Sequence, residues 1–172
     1  MDFTENDPVL TRQVVEFITV SNEFCLFTEK VETYPKDDFV EYYRRILPLL
    51  YLKGSLLKTV ETDGNDASER FVTQEEWEHL FNTIRNKLYP DDHFWVSTDM
   101  YDENTEIEKA SIAECIADIY QDMKDFLMLY QKSRHAAKVS ALNDVCRHFE
   151  NHWGPAAIKS MYALHNLNLK LR

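Results

Sequence analysis

Apolar residues recur every three to four positions along most of this chain, which is the period of an amphipathic helix. The strongest such stripe spans residues 112–130, and others span 10–25, 39–57, 77–88 and 139–153. Polar stretches and prolines separate these stripes and mark the ends of helices. The pattern predicts an all-α fold, in which residues 1–172 form a single helical domain, a bundle of five to seven mostly antiparallel helices.

Several residues predict where the helices begin and end. Residues that favour helix N-termini precede five of the stripes: Asp7, Pro35, Thr73, Ser111 and Ser133. Pro48 lies inside the second helix and should kink it, because proline removes a backbone hydrogen bond. Gly154 should end the fifth helix, and Pro155 should begin the last one.

Two segments interrupt the helical pattern. Residues 61–70 are polar and contain a glycine, which predicts a loop. Residues 89–106 form a longer connection rich in acidic and aromatic side chains, with a short extended piece expected at 94–96. Only three glycines occur in the chain, which argues against a fold rich in β-hairpins.

Composition narrows the possible partners. The formal net charge is −11, so the chain repels nucleic acid and anionic membrane surfaces. The apolar run at 46–52 is too short to span a bilayer, and the acidic N-terminus lacks the order of a secretion signal. Three widely spaced cysteines indicate reduced thiols, so we expect a cytoplasmic protein.

Charge is unevenly distributed along the chain. Residues 133–172 contain six Lys or Arg and two Asp or Glu, whereas the remainder carries a large negative excess. Opposite charges on neighbouring segments attract each other. We therefore expect the last two helices to dock on an acidic surface within the same chain.

The helix predicted at 112–130 provides such a surface. Four carboxylates share one of its faces, apart from the apolar stripe: Glu114, Asp118, Asp122 and Asp125. Aspartate is a poor helix former, so three on one stripe need a reason. The stripe is either a solvated face of an acidic protein or a set of carboxylates that pair with cations from another helix or bind a metal.

The segment RHFENHWG contains two histidines, His148 and His152, on one face of the fifth helix. Its spacing is close to the H-E-x-x-H motif of zinc peptidases, with the glutamate moved by one position. Glu150 consequently points to another side of the helix and cannot position a water molecule over a metal. We expect an interhelical hydrogen-bond network and no metal or cofactor; the weaker alternative is a metal held by His148, His152 and Asp122.

Lys53 stands where the second helix should present an apolar side chain. Its aliphatic stem could pack while the ammonium group reaches water. Alternatively the ammonium group is buried and paired, because an unpaired buried charge is costly. The second interpretation predicts Glu23 or Asp118 as its partner.

Four segments together resemble a known bacterial family. They are EFITVSNEFCLF, ILPLLYLKGSLL, IADIYQDMKDFLMLY and FENHWGPAAIKSMYALH, and they occur in the same order over nearly the whole chain. The most specific pieces lie at 117–126 and 152–154. The chain resembles the domain of unknown function DUF5063. The resemblance implies a small helical bacterial domain and implies no particular activity, cofactor or catalytic residue.

Two hypotheses for function follow, and neither identifies a reaction. The first is a non-catalytic module that binds another protein, or a second copy of itself, through Phe94, Trp95 and Tyr101. The alternative is an enzyme or ligand binder that uses a polar pocket. That pocket would be built from the following side chains: Glu23, Lys53, Asp118, Asp122 and His152.

Overall fold

The computed structural model describes residues 7–64 and 68–172, which form six α-helices and one β-hairpin. The helices are α1 (Arg12–Glu29), α2 (Lys36–Ser55), α3 (Gln74–Leu88), α4 (Ile112–Tyr130), α5 (His135–Asn151) and α6 (Trp153–Leu171). The antiparallel strands β1 (His93–Ser97) and β2 (Ile107–Ser111) stand between α3 and α4. The predicted helical fold class is confirmed, and the hairpin is an addition to it.

Helix α4 lies at the centre of the bundle. It packs against α1, α3, α5 and α6, while α2 packs against α1 and α6. This arrangement follows from the sequence of α4, whose buried residues cover more than one side of the helix. The two C-terminal helices therefore dock on α4, as the charge distribution predicted.

Three of the predicted helix starts are confirmed, since Pro35 directly precedes α2, and Thr73 and Ser111 cap α3 and α4. The Thr73 hydroxyl accepts a hydrogen bond from the backbone N–H of Glu76, whose carboxylate accepts one from the Thr73 N–H in return. At α4, the Ser111 hydroxyl accepts from the Glu114 N–H at 3.1 Å. These caps satisfy donors that the first turn of a helix leaves unpaired.

Two other predicted caps are wrong. Helix α1 is capped by Thr11, and Asp7 instead stabilises a short turn by accepting from the N–H of Val9. The N-cap of α5 is Arg134, which makes no side-chain capping bond, so Ser133 does not cap this helix. In both cases the true N-cap lies one to four residues after the predicted one.

The corner between α5 and α6 also differs from the prediction. The chain turns at His152, which alone separates the two helices, and Gly154 lies in the first turn of α6. A Cβ atom on Gly154 would lie 2.0 Å from the carbonyl oxygen of Phe149. Glycine is needed here because the end of α5 approaches the backbone closely, not because it ends a helix.

Tight packing joins α2 to this corner. Helix α2 runs without interruption through Pro48, and the predicted kink there stays a prediction. Near its C-terminus, Gly54 faces the fully buried indole of Trp153, and a Cβ atom at Gly54 would lie 2.2 Å from Cη2 of that ring. The indole N–H of Trp153 donates to the backbone carbonyl of Val145 at 3.0 Å, which fixes the ring in its site.

The hairpin is anchored at its base by a buried carboxylate. Asp92 accepts hydrogen bonds from the Ser111 hydroxyl and the Ala113 N–H, both at 2.7 Å. Strand β2 was missed in the sequence because its residues run directly into α4. This hairpin forms without a glycine in its turn, because Asp99 and Asp102 accept backbone N–H groups there.

Where it is described, the predicted loop at 61–70 is non-helical, and residues 65–67 fall outside the described chain. Residues 1–6, to which the prediction about a secretion signal refers, also fall outside it. Across residues 7–64 and 68–172, no helix combines the length and apolarity that a bilayer span requires. The single-domain boundaries stay a prediction.

Candidate functional site

A buried carboxylate on α4 is the centre of the polar cluster. The Asp122 side chain is only 2% exposed. Asp118 lies one helical turn before it on the same side of α4, which faces the end of α5. An ionised group at such depth is stable only where hydrogen-bond donors surround it.

Two histidines supply those donors. The Nδ1–H of His152 donates to Oδ2 of Asp122 at 2.5 Å, and Nδ1 of His148 lies 3.4 Å from Oδ1. Each carboxylate oxygen thus faces one imidazole. The contact exists because His148 is in the last turn of α5 and His152 is the corner residue, so both face α4. The predicted interhelical network is therefore present.

Asp118 extends the network to a third helix. Its Oδ1 accepts a hydrogen bond from the indole N–H of Trp77 on α3 at 3.0 Å, and its Oδ2 lies 3.9 Å from Nε2 of His152. The sequence did not reveal the role of Trp77, which was assigned to the apolar stripe of α3. A tryptophan at the edge of an apolar stripe usually donates its indole N–H to a hydrogen-bond acceptor. That tendency was the signal in the sequence that could have pointed to this contact.

The electrostatics of the cluster follow from burial and pairing. Burial would raise the pKa of Asp122, but hydrogen bonds from His148 and His152 outweigh it, so the Asp122 pKa is lowered. The hydrogen bond to Asp122 raises the pKa of His152. Burial raises the pKa of Asp118, and His152 and Trp77 only partly offset this. The cluster therefore favours an imidazolium at position 152 beside an Asp122 carboxylate.

This geometry leaves little room for a substrate. The cavity beside the cluster, lined in part by Arg70, Asp125 and His148, measures about 20 Å³, enough for about one water molecule. Within residues 7–64 and 68–172, no group of three or more His, Cys, Asp or Glu side chains could hold a metal ion. The Nδ1 atoms of both histidines face Asp122 rather than a shared metal position.

The thiols offer no ready nucleophile. Cys25, Cys115 and Cys146 are free, and none lies in the cluster. Burial raises the pKa of Cys115 to about 12 and that of Cys146 to about 11. Both thiols are protonated near neutral pH, and a protonated thiol is a poor nucleophile.

The predicted five-residue pocket does not assemble. Asp118, Asp122 and His152 come together, but Glu23 and Lys53 lie elsewhere. Lys53 on α2 pairs with Glu16 on α1, with Nζ 2.7 Å from Oε2, so both predicted partners of Lys53 are wrong.

Glu23 is exposed about two turns further along α1, where its backbone carbonyl accepts a hydrogen bond from the Tyr42 hydroxyl at 3.2 Å. Helix periodicity placed Lys53 on the buried stripe of α2. It could not distinguish Glu16 from Glu23, which are seven residues apart and lie on the same side of the helix.

The acidic stripe of α4 is not a uniform solvated face. Glu114 is exposed, whereas Asp125 accepts the backbone N–H groups of Phe71 and Val72 at 2.8 and 2.9 Å. This carboxylate holds the segment that leads into α3. The stripe therefore serves packing at three of its four positions, counting Asp118 and Asp122.

The three predicted interaction residues lie on or beside β1. Trp95 is 66% exposed and Tyr101 in the turn is 91% exposed. Phe94 is half-buried and packs on the hydrophobic core, so it anchors the hairpin and is removed from the candidate surface. Met100 in the turn and Ile107 on β2 are also exposed, and neither of them was identified from the sequence.

Comparison with known proteins gives the family. The family described as Domain of unknown function (DUF5063) matches residues 8–170. This chain belongs to the DUF5063 family. No curated protein sequence matches it.

Similarity to a solved structure extends over nearly the whole chain. The crystal structure of protein BF1032 from Bacteroides fragilis is 34% identical in sequence, with a TM-score of 0.82. The similarity covers 94% of this chain and 95% of that chain. The helical fold is thus shared with a bacterial relative, and the family resemblance noted in the sequence is confirmed.

Proposed function

We propose that this DUF5063 domain is a protein-interaction module and that its contact surface is the β1–β2 hairpin. The observation that carries the proposal is the group of large apolar side chains that the hairpin holds in solvent. They are Trp95, Met100, Tyr101 and Ile107. Large aromatic residues and methionine are enriched at protein interfaces, and each is costly to leave in water.

Strand geometry brings two of these residues together. Trp95 pairs with Lys109 and Ser97 pairs with Ile107 across the hairpin. Because side chains alternate between faces, Trp95 and Ile107 share the face opposite to Phe94. Phe94 holds the other face against the bundle, so the Trp95 face is presented outward.

The energy available at this surface is sufficient for recognition. Trp95 is 66% exposed, and covering that area would contribute on the order of 3 kcal/mol at about 25 cal/mol per Å². A single aromatic anchor of this size often dominates an interface. The polar cluster supports the alternative, an enzyme or ligand binder, less well, because its adjoining cavity is about one water molecule in size.

We also propose a cytoplasmic location. Its support is the set of three free cysteines, since disulfides are the usual state of paired thiols outside the cytoplasm. The net charge of −11 does not favour nucleic acid or an anionic membrane as a partner.

The proposal is tested with two matched double variants. The first changes Trp95 and Tyr101 to Ala, and the control changes Ile158 and Tyr162, which are exposed on α6, to Ala. Proteins captured from a lysate of the source cells are identified, and the binding of each purified protein is then measured by calorimetry.

We expect at least one partner whose affinity falls tenfold or more with the hairpin variant and less than twofold with the α6 variant. Equal losses for both variants, or no loss for either, would contradict the proposal. Circular dichroism and thermal melting of both variants establish that folding is unchanged.

A further inference from the structure

Strand β1 has a free backbone edge. The Thr98 N–H donates to the Glu106 carbonyl, and the Ile112 N–H donates to the Asp92 carbonyl, both at 3.0 Å. Hydrogen-bonded pairs alternate with non-bonded pairs along an antiparallel ribbon. The backbone groups of Phe94 and Val96 therefore face β2, and those of the intervening residues face away from it.

The outward groups belong to His93, Trp95 and Ser97, whose N–H groups have no partner among the described residues. No other strand or helix of the described chain runs along this edge, since β1 packs chiefly against β2. Such an edge is a template for a further strand.

The two edges of the hairpin differ in protection. Proteins usually guard an exposed strand edge with charged residues or proline. Strand β2 has Glu108 and Lys109, and Glu106 precedes it, whereas His93–Ser97 contains no Asp, Glu, Lys, Arg or Pro. Its sequence, HFWVS, also has high strand propensity. The unguarded edge is the one that carries Trp95.

The neighbouring turn defines the chemistry of the occupant. Residues 98–106 contain four exposed carboxylates and no Lys or Arg. These carboxylates are Asp99, Asp102, Glu103 and Glu106. None of them makes an ion pair with a described residue. A cationic segment complements this charge, and an Arg or Lys side chain can also stack on the exposed indole of Trp95.

From these observations we infer that β1 binds an extended basic segment of another protein by strand addition, which converts the hairpin into a three-stranded sheet. The inference rests on the proposed interaction function and adds its binding mode and partner class. A segment of about five to seven residues matches the length of β1. Main-chain hydrogen bonds to His93, Trp95 and Ser97 supply the register. A second copy of this chain fits less well, because each copy carries a net charge of −11 and the copies repel each other.

The experiment selects ligands for the full chain from a phage-displayed library of random 12-residue peptides. The enriched peptides are synthesised, and their binding is measured by fluorescence anisotropy at low and high salt. We expect peptides in which Lys or Arg alternates with β-branched or aromatic residues, and weaker binding at high salt. Failure to enrich any peptide, or enrichment of acidic ones, would overturn the inference.

Backbone substitutions test the binding mode. Ser97→Pro removes an outward N–H without removing a hydrogen bond of the hairpin, and Ser97→Ala is its side-chain control. We expect at least a tenfold loss of affinity for Ser97→Pro and less than a twofold change for Ser97→Ala. As a test independent of folding, N-methylation of the peptide at one set of alternate residues should abolish binding, while methylation at the other set should not.

The outcomes separate the two proposals. If Trp95→Ala weakens binding but Ser97→Pro and both methylated peptides do not, strand addition is refuted and the interaction surface stands. If none of these changes weakens binding, both proposals fail. If light scattering without peptide shows a dimer that Ser97→Pro dissociates, the occupant is a second copy and the inferred partner class is wrong.

Discussion

Replacing His152 with alanine tests whether the cluster on α4 is held together by charge. The Nδ1–H of this imidazole donates to Asp122 at 2.5 Å, and its Nε2 lies 3.9 Å from Asp118. The side chain joins the α5–α6 corner to the central helix. Its removal leaves Asp122, which is 2% exposed, with His148 as its remaining imidazole partner.

The expected cost can be built from these contacts. A hydrogen bond to a charged group contributes about 1.5–3 kcal/mol. The His152 side chain is 39% exposed, so water screens part of its charge, and we reduce the ionic share to about 1–2 kcal/mol. Lost ring packing adds a cost that does not depend on pH.

The direction of the pH dependence follows from linkage. The pKa of His152 is raised in the folded state, chiefly by the hydrogen bond to Asp122. Stabilisation by the imidazolium is fully present below the unfolded pKa of about 6.5 and is lost as pH rises through the folded pKa. Asp122 remains ionised throughout this window, because its own pKa is lowered.

The assay is urea unfolding of the parent and of His152→Ala at about pH 6 and about pH 8.5. We expect the substitution to cost about 1 kcal/mol more in unfolding free energy at the lower pH. His165→Ala is the control, since His165 is exposed on α6 and forms no ion pair with a described residue. Its substitution should change the unfolding free energy little, because the side chain is exposed. An equal cost of His152→Ala at both pH values would refute an ionic role.

Two further predictions concern packing and stability. Gly54→Ala should destabilise the fold by about 2–3 kcal/mol, because its Cβ would lie 2.2 Å from a ring atom of the buried Trp153. Thermal melting measures this effect, and a melting temperature lowered by less than about 2 °C would contradict the prediction. Asn143→Ala should cost about 1–2 kcal/mol, since its side chain forms two hydrogen bonds with the backbone of Val60, at 2.7 and 2.9 Å. Amide exchange at Val60 should accelerate in that variant, and an unchanged rate would show that the two bonds do not hold this segment.

The histidine pair shows how a motif is limited by its surroundings. The spacing of His148 and His152 is that of a zinc-binding helix, but the sequence already excluded Glu150 as a base. In the structure Glu150 is exposed, and the Nδ1 atoms of both histidines face the same buried carboxylate. An i, i+4 pair fixes only a shared helix face, and the partner across that face decides whether it holds a proton or a metal.

The amino-acid sequence by itself determined the features that depend on neighbouring positions. The capping box at Thr73 and the cap at Ser111 both depend on residues within about one helical turn. The docking of α5 and α6 on α4 was also predictable, because net charge and apolar periodicity extend over whole helices. These properties do not require knowledge of which distant residues meet.

Tertiary structure alone decided which of several equivalent residues made each contact. Lys53 could reach Glu16 or Glu23 on α1, and the relative shift of α1 along α2 selected Glu16. The same applies to the corner at His152 and to the hairpin, whose second strand carries only a weak local signal. A helix repeats its faces every 3.6 residues, so periodicity identifies a face but not the position along it. Packing between helices supplies that remaining coordinate.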